Sequence, residues 1–210
     1  MVKINFIHIP KNAGTTIKQI CNPKTIYSAN NTLVYNGHRT DSFNKKLTNQ
    51  FVVIRNPIDR FISAVSYSLQ KWSNEPHVKY LIENKIDTPE KWVKIWMNPK
   101  DKQYPYLMNM IKNKNHKIGN RVIEYKWTYS PQSLWINNPK FVIIMDNFDI
   151  ELQYFIKKYK IKFSNINKKN NTHHKDTKLS IESIHFLRDF YKEDFILYEK
   201  YKHIGIENRL

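Results

Sequence analysis

Two short stretches of this sequence carry side chains suited to holding phosphate-like anions. The first is Lys11-Asn12-Ala13-Gly14-Thr15-Thr16. Small residues let backbone N–H groups approach an anion, a helix start directs its dipole at it, two hydroxyls can donate, and a lysine supplies a point charge. The stretch is not the G-x-x-x-x-G-K-[ST] phosphate loop, because its lysine precedes the glycine. Taken alone it is a moderate signal, the alternative being an ordinary strand-to-helix turn capped by Thr15. The second stretch places Arg55 at a strand end and Ser63 two turns into the helix that follows. A guanidinium fork and a helical hydroxyl can converge on a second phosphate. Singly, Arg55 also reads as a surface ion-pair partner and Ser63 as a small residue facing a neighbouring helix; together with the first stretch, coincidence becomes a poor explanation. Arg60 is expected to hold the loop through backbone or carboxylate contacts rather than to touch a ligand.

Between the two stretches stands His38, in YNGHRT. An imidazole with a pKa near ~6.5 suits proton transfer at neutral pH, which makes His38 the candidate base. A histidine that only packs or hydrogen-bonds in a loop is the alternative. His173 and His174 lie in a polar stretch with no cysteine or carboxylate pattern to complete a ligand set, so no metal is expected. His8 reads as a strand residue near the first loop, and Asp146 as a cap for the helix after FVIIM.

The elements that must position these residues follow from the apolar pattern. Ile4, Phe6 and His8 alternate with Asn5, Ile7 and Ile9, and both faces are largely apolar, as in a central parallel strand. FVVI at 51–54 and FVIIM at 141–145 repeat the pattern, and each strand runs into a loop and then a helix. In the helix from Pro57, residues Ile58, Phe61, Ile62, Val65, Leu69 and Trp72 make one apolar stripe. Strand, loop and helix in alternation predict an α/β protein with a parallel sheet, whose ligands bind beyond the carboxyl ends of the strands, where both candidate loops lie. Residues 73–130 read as a mainly helical insertion rich in aromatics, and Ile184, Leu187, Tyr191, Phe195 and Tyr198 mark helical spacing in the last third. No repeat or linker divides the chain, so one domain over residues 1–210 is expected.

The composition sets bounds. Of 210 residues, 35 are Lys or Arg and 18 are Asp or Glu, a net charge of +17 that attracts polyanions or else reflects a Lys-, Asn- and Ile-rich composition. The 40% hydrophobic content is enough to bury a core, which argues against whole-chain disorder. A single cysteine, Cys21, excludes an internal disulfide framework and a multi-cysteine zinc site. The start MVKINFIHIPK alternates and breaks at Pro10, unlike a leader peptide, and no apolar run approaches the ~18 residues of a membrane span. A soluble, cytoplasmic protein is expected, the lone thiol fitting a reducing compartment.

FIHIPKNAGTTI followed by FVVIRNPIDRFISAVSY resembles the paired 5′-phosphosulfate and 3′-phosphate signatures of sulfotransferases that use 3′-phosphoadenosine 5′-phosphosulfate (PAPS), closest to the carbohydrate O-sulfotransferase branch. Gly37-His38, Pro131-Gln132-Ser133, FVIIMDNFD, Asn167-Lys168-Lys169 and YKEDFILYEKY extend the likeness over almost the whole chain. The resemblance implies a P-loop-like three-layer fold, with a central parallel sheet flanked by helices. It implies that Lys11 contacts the sulfate and the bridging oxygen, that Asn12, Ala13, Gly14, Thr15 and Thr16 cradle the 5′-phosphosulfate, that Arg55 and Ser63 hold the 3′-phosphate, and that Lys168 closes over the nucleotide. PAPS is then the sulfuryl donor, with no metal required, and the acceptor is a hydroxyl, that of a carbohydrate if the branch holds. Trp127 and Tyr129 are candidates to stack on a sugar ring or, alternatively, core residues. Two other functions remain in play: a P-loop-like phosphotransferase, which would need a divalent ion and ATP, and a basic nucleic-acid-binding module. Against the latter, the lysines are scattered and no nucleic-acid-binding signature occurs, so no nucleic-acid partner is expected.

Overall fold

The runs VKINF, NTLVY, QFVVI and FVII form the strands β1 (Val2–Phe6), β2 (Asn31–Tyr35), β3 (Gln50–Ile54) and β4 (Phe141–Ile144). The computed structural model describes residues 2–21, 31–35, 47–112, 117–118, 121–122, 126, 128–136, 138–161 and 177–210. The four strands make one sheet in the order β2-β1-β3-β4, every pair parallel. Every residue of β3 and β4 is buried, which is why these strands read as continuous apolar runs rather than alternating ones. The order has a direct consequence: β1 and β3 are neighbours, with Phe6 opposite Phe51, so the loops that leave their carboxyl ends start side by side.

Two compact units can be distinguished, Met1–Asn56 with Pro131–Asn171 and Ile196–Leu210, and Pro57–Ser130 with Thr172–Phe195. In the first, one face of the sheet (Ile4, Phe6, Leu33, Phe51, Val53, Phe141, Ile143) packs with Ile17 and Ile20 of α1 (Gly14–Ile20) and with Leu152 and Phe155 of a helix over Phe148–Lys158. Phe51 and Phe155 stack with ring centroids 4.4 Å apart. The chain end secures the sheet edge. Arg209 makes a bidentate pair with Glu151 at 2.6 and 2.8 Å and donates to Val142 O at 3.2 Å, while Glu151 Oε2 accepts from Ile144 N at 2.7 Å.

The second unit is helical: α2 (Pro57–Lys71), α3 (Pro76–Glu83), α4 (Pro89–Met97), α5 (Tyr104–Ile111) and, after α6 (Phe148–Lys158) of the first unit, α7 (Ile181–Phe190). Proline opens α2, α3 and α4, where its missing N–H costs no hydrogen bond. The predicted stripe of α2 is inside: Phe61 and Val65 are buried in a core with Trp92, Trp96, Leu107 and Tyr191, and Ile58, Leu69 and Trp72 pack against it. The segment read as helical does supply α3 to α5, and also a short antiparallel pair, Lys117–Ile118 with Arg121–Val122, that no periodicity announced. The helical spacing of the last third resolves into α7 and α8 (Lys192–Lys202), before the short α9 (Ile206–Arg209). The chain is thus an α/β protein with a central parallel sheet flanked by helices, as expected. Among the described residues, no helix is long and apolar enough to cross a membrane, and no cluster of three or more His, Cys, Asp or Glu could hold a metal ion.

Candidate active site

The loop between β1 and α1 bends sharply after Ile7, whose N–H still pairs with Phe51 O at 2.9 Å. Lys11 (φ 69°) and Ala13 (φ 53°) both adopt left-handed backbone conformations without being glycine. Such residues cost about 1–3 kcal/mol each and persist where their surroundings over-determine them. Here the determinant is Asn12, which is fully buried and donates from Nδ2 to Val53 O at 2.8 Å and to Gln132 Oε1 at 2.9 Å. Its Oδ1 is buried and accepts no hydrogen bond from any described residue. Thr15 does not cap α1: the N-cap position is Ala13, which has no side-chain oxygen, and the first turn contains no acidic residue. The amides at this turn therefore face no competing anionic side chain of their own helix.

Gly14 is explained by its neighbour. A Cβ at position 14 would lie 1.7 Å from Cδ2 and Nε2 of His8. The His8 ring cannot easily move away, since its Nδ1 shares a 2.6 Å hydrogen bond with the Tyr35 hydroxyl and the ring stacks on Phe6. The glycine of the motif thus makes room for an imidazole as well as thinning the loop. Burial raises the Tyr35 hydroxyl above its ordinary pKa, with a smaller contribution from Cys21. Burial also pushes the Cys21 thiol up to about 12, so it stays neutral.

Arg55 follows β3 and donates from a guanidinium nitrogen to Lys11 O at 3.2 Å. The buried Gln132 amide pairs with the backbone of Arg55, donating to its carbonyl at 2.8 Å and accepting from its N–H at 3.3 Å. Lys11, Asn12 and Arg55, separated by more than forty positions, are thereby brought together at the carboxyl ends of adjacent strands. In the sequence Gln132 stands only within the Pro131-Gln132-Ser133 likeness, which attaches no role to it. Its hydrogen-bond partners Arg55 and Asn12 are 77 and 120 positions away, beyond the reach of any local pattern.

Ser63 is buried on α2 in the second unit. Arg60 is buried and donates to a backbone carbonyl, Ser130 O at 2.8 Å, which lies outside the loop it was expected to hold. Burial lowers its pKa, opposed by Tyr191 and Asp194. Tyr129 is a core residue and not a surface for a sugar: it is fully buried, its hydroxyl shares a 2.6 Å hydrogen bond with Ser68 Oγ, and its carbonyl accepts from Tyr191 at 2.7 Å. Asp146 does not cap the helix after β4. It sits inside a 3-10 turn, one position before the N-cap Asn147, and its carboxylate accepts from the Tyr198 hydroxyl at 2.5 Å. Gly37, His38, Trp127, Asn167, Lys168, Lys169, His173 and His174 lie outside the described residues.

The fold and site define an α/β protein with a parallel sheet in which Lys11 and Arg55 meet at the carboxyl ends of adjacent strands. The sequence profile of the sulfotransferase family matches residues 2–202, and the chain belongs to that family. No individual curated protein and no solved structure gives a significant match. The protein is accordingly a sulfotransferase, an enzyme that transfers a sulfuryl group.

Proposed function

We propose that this enzyme takes its sulfuryl group from PAPS and delivers it to a hydroxyl of a carbohydrate. The observation that carries the donor assignment is the 3.2 Å contact from the Arg55 guanidinium to Lys11 O, which joins the two anion-binding stretches. PAPS bears anionic groups at both ends of its ribose, and two linked basic loops fit that pattern better than one would. The left-handed backbone at Lys11 and Ala13 and the uncapped first turn of α1 favour the 5′ end in the first loop. Arg55 suits the 3′-phosphate, a planar fork for a tetrahedral anion. Ser63, in the other unit, is assigned to the 3′-phosphate on its sequence motif alone, and Lys168 to closing over the nucleotide on the same ground.

When bound, PAPS supplies the sulfur: the acceptor oxygen forms a new S–O bond as the bond from sulfur to the bridging phosphate oxygen breaks, and adenosine 3′,5′-bisphosphate leaves. The acceptor proton passes to His38, an imidazole matched to neutral pH. Lys11 neutralises charge that grows on the leaving phosphate, a contribution that is usually large in a site of this kind. Asn12 holds the loop backbone while this occurs, through its contacts with Val53 O and Gln132.

The test is calorimetry with adenosine 3′,5′-bisphosphate and with ATP, on the wild type and on Arg55→Ala. The wild type should bind the bisphosphate in preference to ATP, and the variant should lose most of that affinity; a wild type indifferent to the bisphosphate would remove the donor assignment. Transfer from PAPS should persist in EDTA and should vanish in His38→Ala with bisphosphate binding retained. Among acceptors, oligosaccharides should be sulfated in preference to simple phenols, read by mass spectrometry.

A further inference from the structure

The side chain of Gln132 does something unusual for a buried amide: both of its ends engage the backbone of a single distant residue. Nε2 donates to Arg55 O at 2.8 Å and Oε1 accepts from Arg55 N at 3.3 Å, the pairing a neighbouring strand would offer. The same Oε1 accepts from Asn12 Nδ2 at 2.9 Å, and Asn12 Nδ2 also donates to Val53 O at 2.8 Å. These contacts fix the orientation of both amides. Turning Gln132 over would set its NH2 group against the Arg55 N–H and the Asn12 NH2, donor against donor.

We propose that Gln132 is a positioning residue for sulfuryl transfer, which holds the Arg55 backbone and the Asn12 side chain at one fixed separation so that two loops grip the two ends of one donor molecule. The proposal rests on the PAPS assignment above. Affinity for a ligand with two anionic ends depends on the spacing of the two grips, because geometry lost at one end cannot be recovered at the other without straining the ligand. Gln132 is fully buried, so it acts through Arg55 and Asn12. Leucine in its place leaves the Arg55 N–H, the Arg55 carbonyl and one Asn12 N–H without this partner. Glutamate keeps the acceptor but sets a carboxylate oxygen against the Arg55 carbonyl, and only a protonated carboxyl restores a donor there.

The experiment titrates adenosine 3′,5′-bisphosphate and adenosine 5′-phosphate into the wild type, Gln132→Leu, Gln132→Glu, Arg55→Ala and the Gln132→Leu/Arg55→Ala double variant, each first checked for folding by circular dichroism. The wild type should prefer the bisphosphate. In Gln132→Leu that preference should fall about 10- to 100-fold, in the range expected when the hydrogen bonds that tie two loops together are lost. In the Arg55→Ala background the same change should lower it less than about twofold, since the residue it acts through is gone. Gln132→Glu should regain preference as the pH falls from about 7 to about 5, whereas Gln132→Leu should not. If leucine prevents folding, the glutamate variant carries the comparison alone. A folded variant that keeps the wild-type preference, or losses that simply add in the double variant, would overturn the positioning role and leave the PAPS assignment standing. A wild type without preference would overturn both.

Discussion

In the first unit the buried polar side chains reach backbone groups of the sheet: Asn12 to Val53, Gln132 to Arg55 just past β3, Arg209 to Val142 and Glu151 to Ile144. In the second unit Arg60, Ser68, Tyr129 and Tyr191 bond to one another or to the carbonyls of residues 129 and 130. Both sets satisfy buried polar groups, as they must. The first does so at strands and strand ends, and two of its members, Asn12 and Gln132, tie together the loops that carry Lys11 and Arg55. The second lies among the aromatic core residues Trp92, Tyr129 and Tyr191. The contrast is between polar groups that hold strands and their loops and polar groups that bond within the helical unit.

The largest test of that contrast is Arg209→Ala. It leaves the Glu151 carboxylate buried without its cation, and should cost about 3–5 kcal/mol in chemical denaturation. A loss near zero would mean that the chain end does not secure the sheet edge. Next comes Lys11→Ala, expected to lower turnover about 10²- to 10³-fold at saturating PAPS. Its thermal midpoint should scarcely move, since the stretch is set by Asn12; equal turnover would place the electrostatic work elsewhere. Gly14→Ala forces a methyl onto the His8 ring and should destabilise by about 1–3 kcal/mol. His8→Ala in the same chain should return most of that loss, and no recovery would show that His8 is not the obstacle. The smallest effect belongs to the second unit. Tyr129→Phe removes one buried hydrogen bond and should cost about 1 kcal/mol with unchanged turnover. A fall in turnover would blur the distinction between the two units.

Much of the fold was legible because it is written in local terms. FVVI and FVII are buried on both faces and read as runs; the stripe of α2 has helical spacing and is inside. Less could be read where a residue type has several uses. Tyr129 is aromatic whether it stacks on a sugar or fills a core, and only its burial decides. Asp146 is a good cap by type, but the 3-10 turn places the N-cap one residue later and frees the carboxylate for Tyr198.

By itself the sequence determined which segments could be strands and helices and which residue types could hold anions, because apolar period and side-chain chemistry act within a few positions. It also carried the pattern by which the family is matched over residues 2–202. The tertiary structure decided what lies beside what. The strand order puts β1 against β3 although β2 lies between them in sequence, and so brings Lys11 to Arg55. Packing, not motif, gives Gly14 its ring to accommodate and Gln132 its hold on two loops. Such contacts join residues 77 or 120 positions apart through hydrogen bonds that only a completed sheet aligns, so no local pattern contains them.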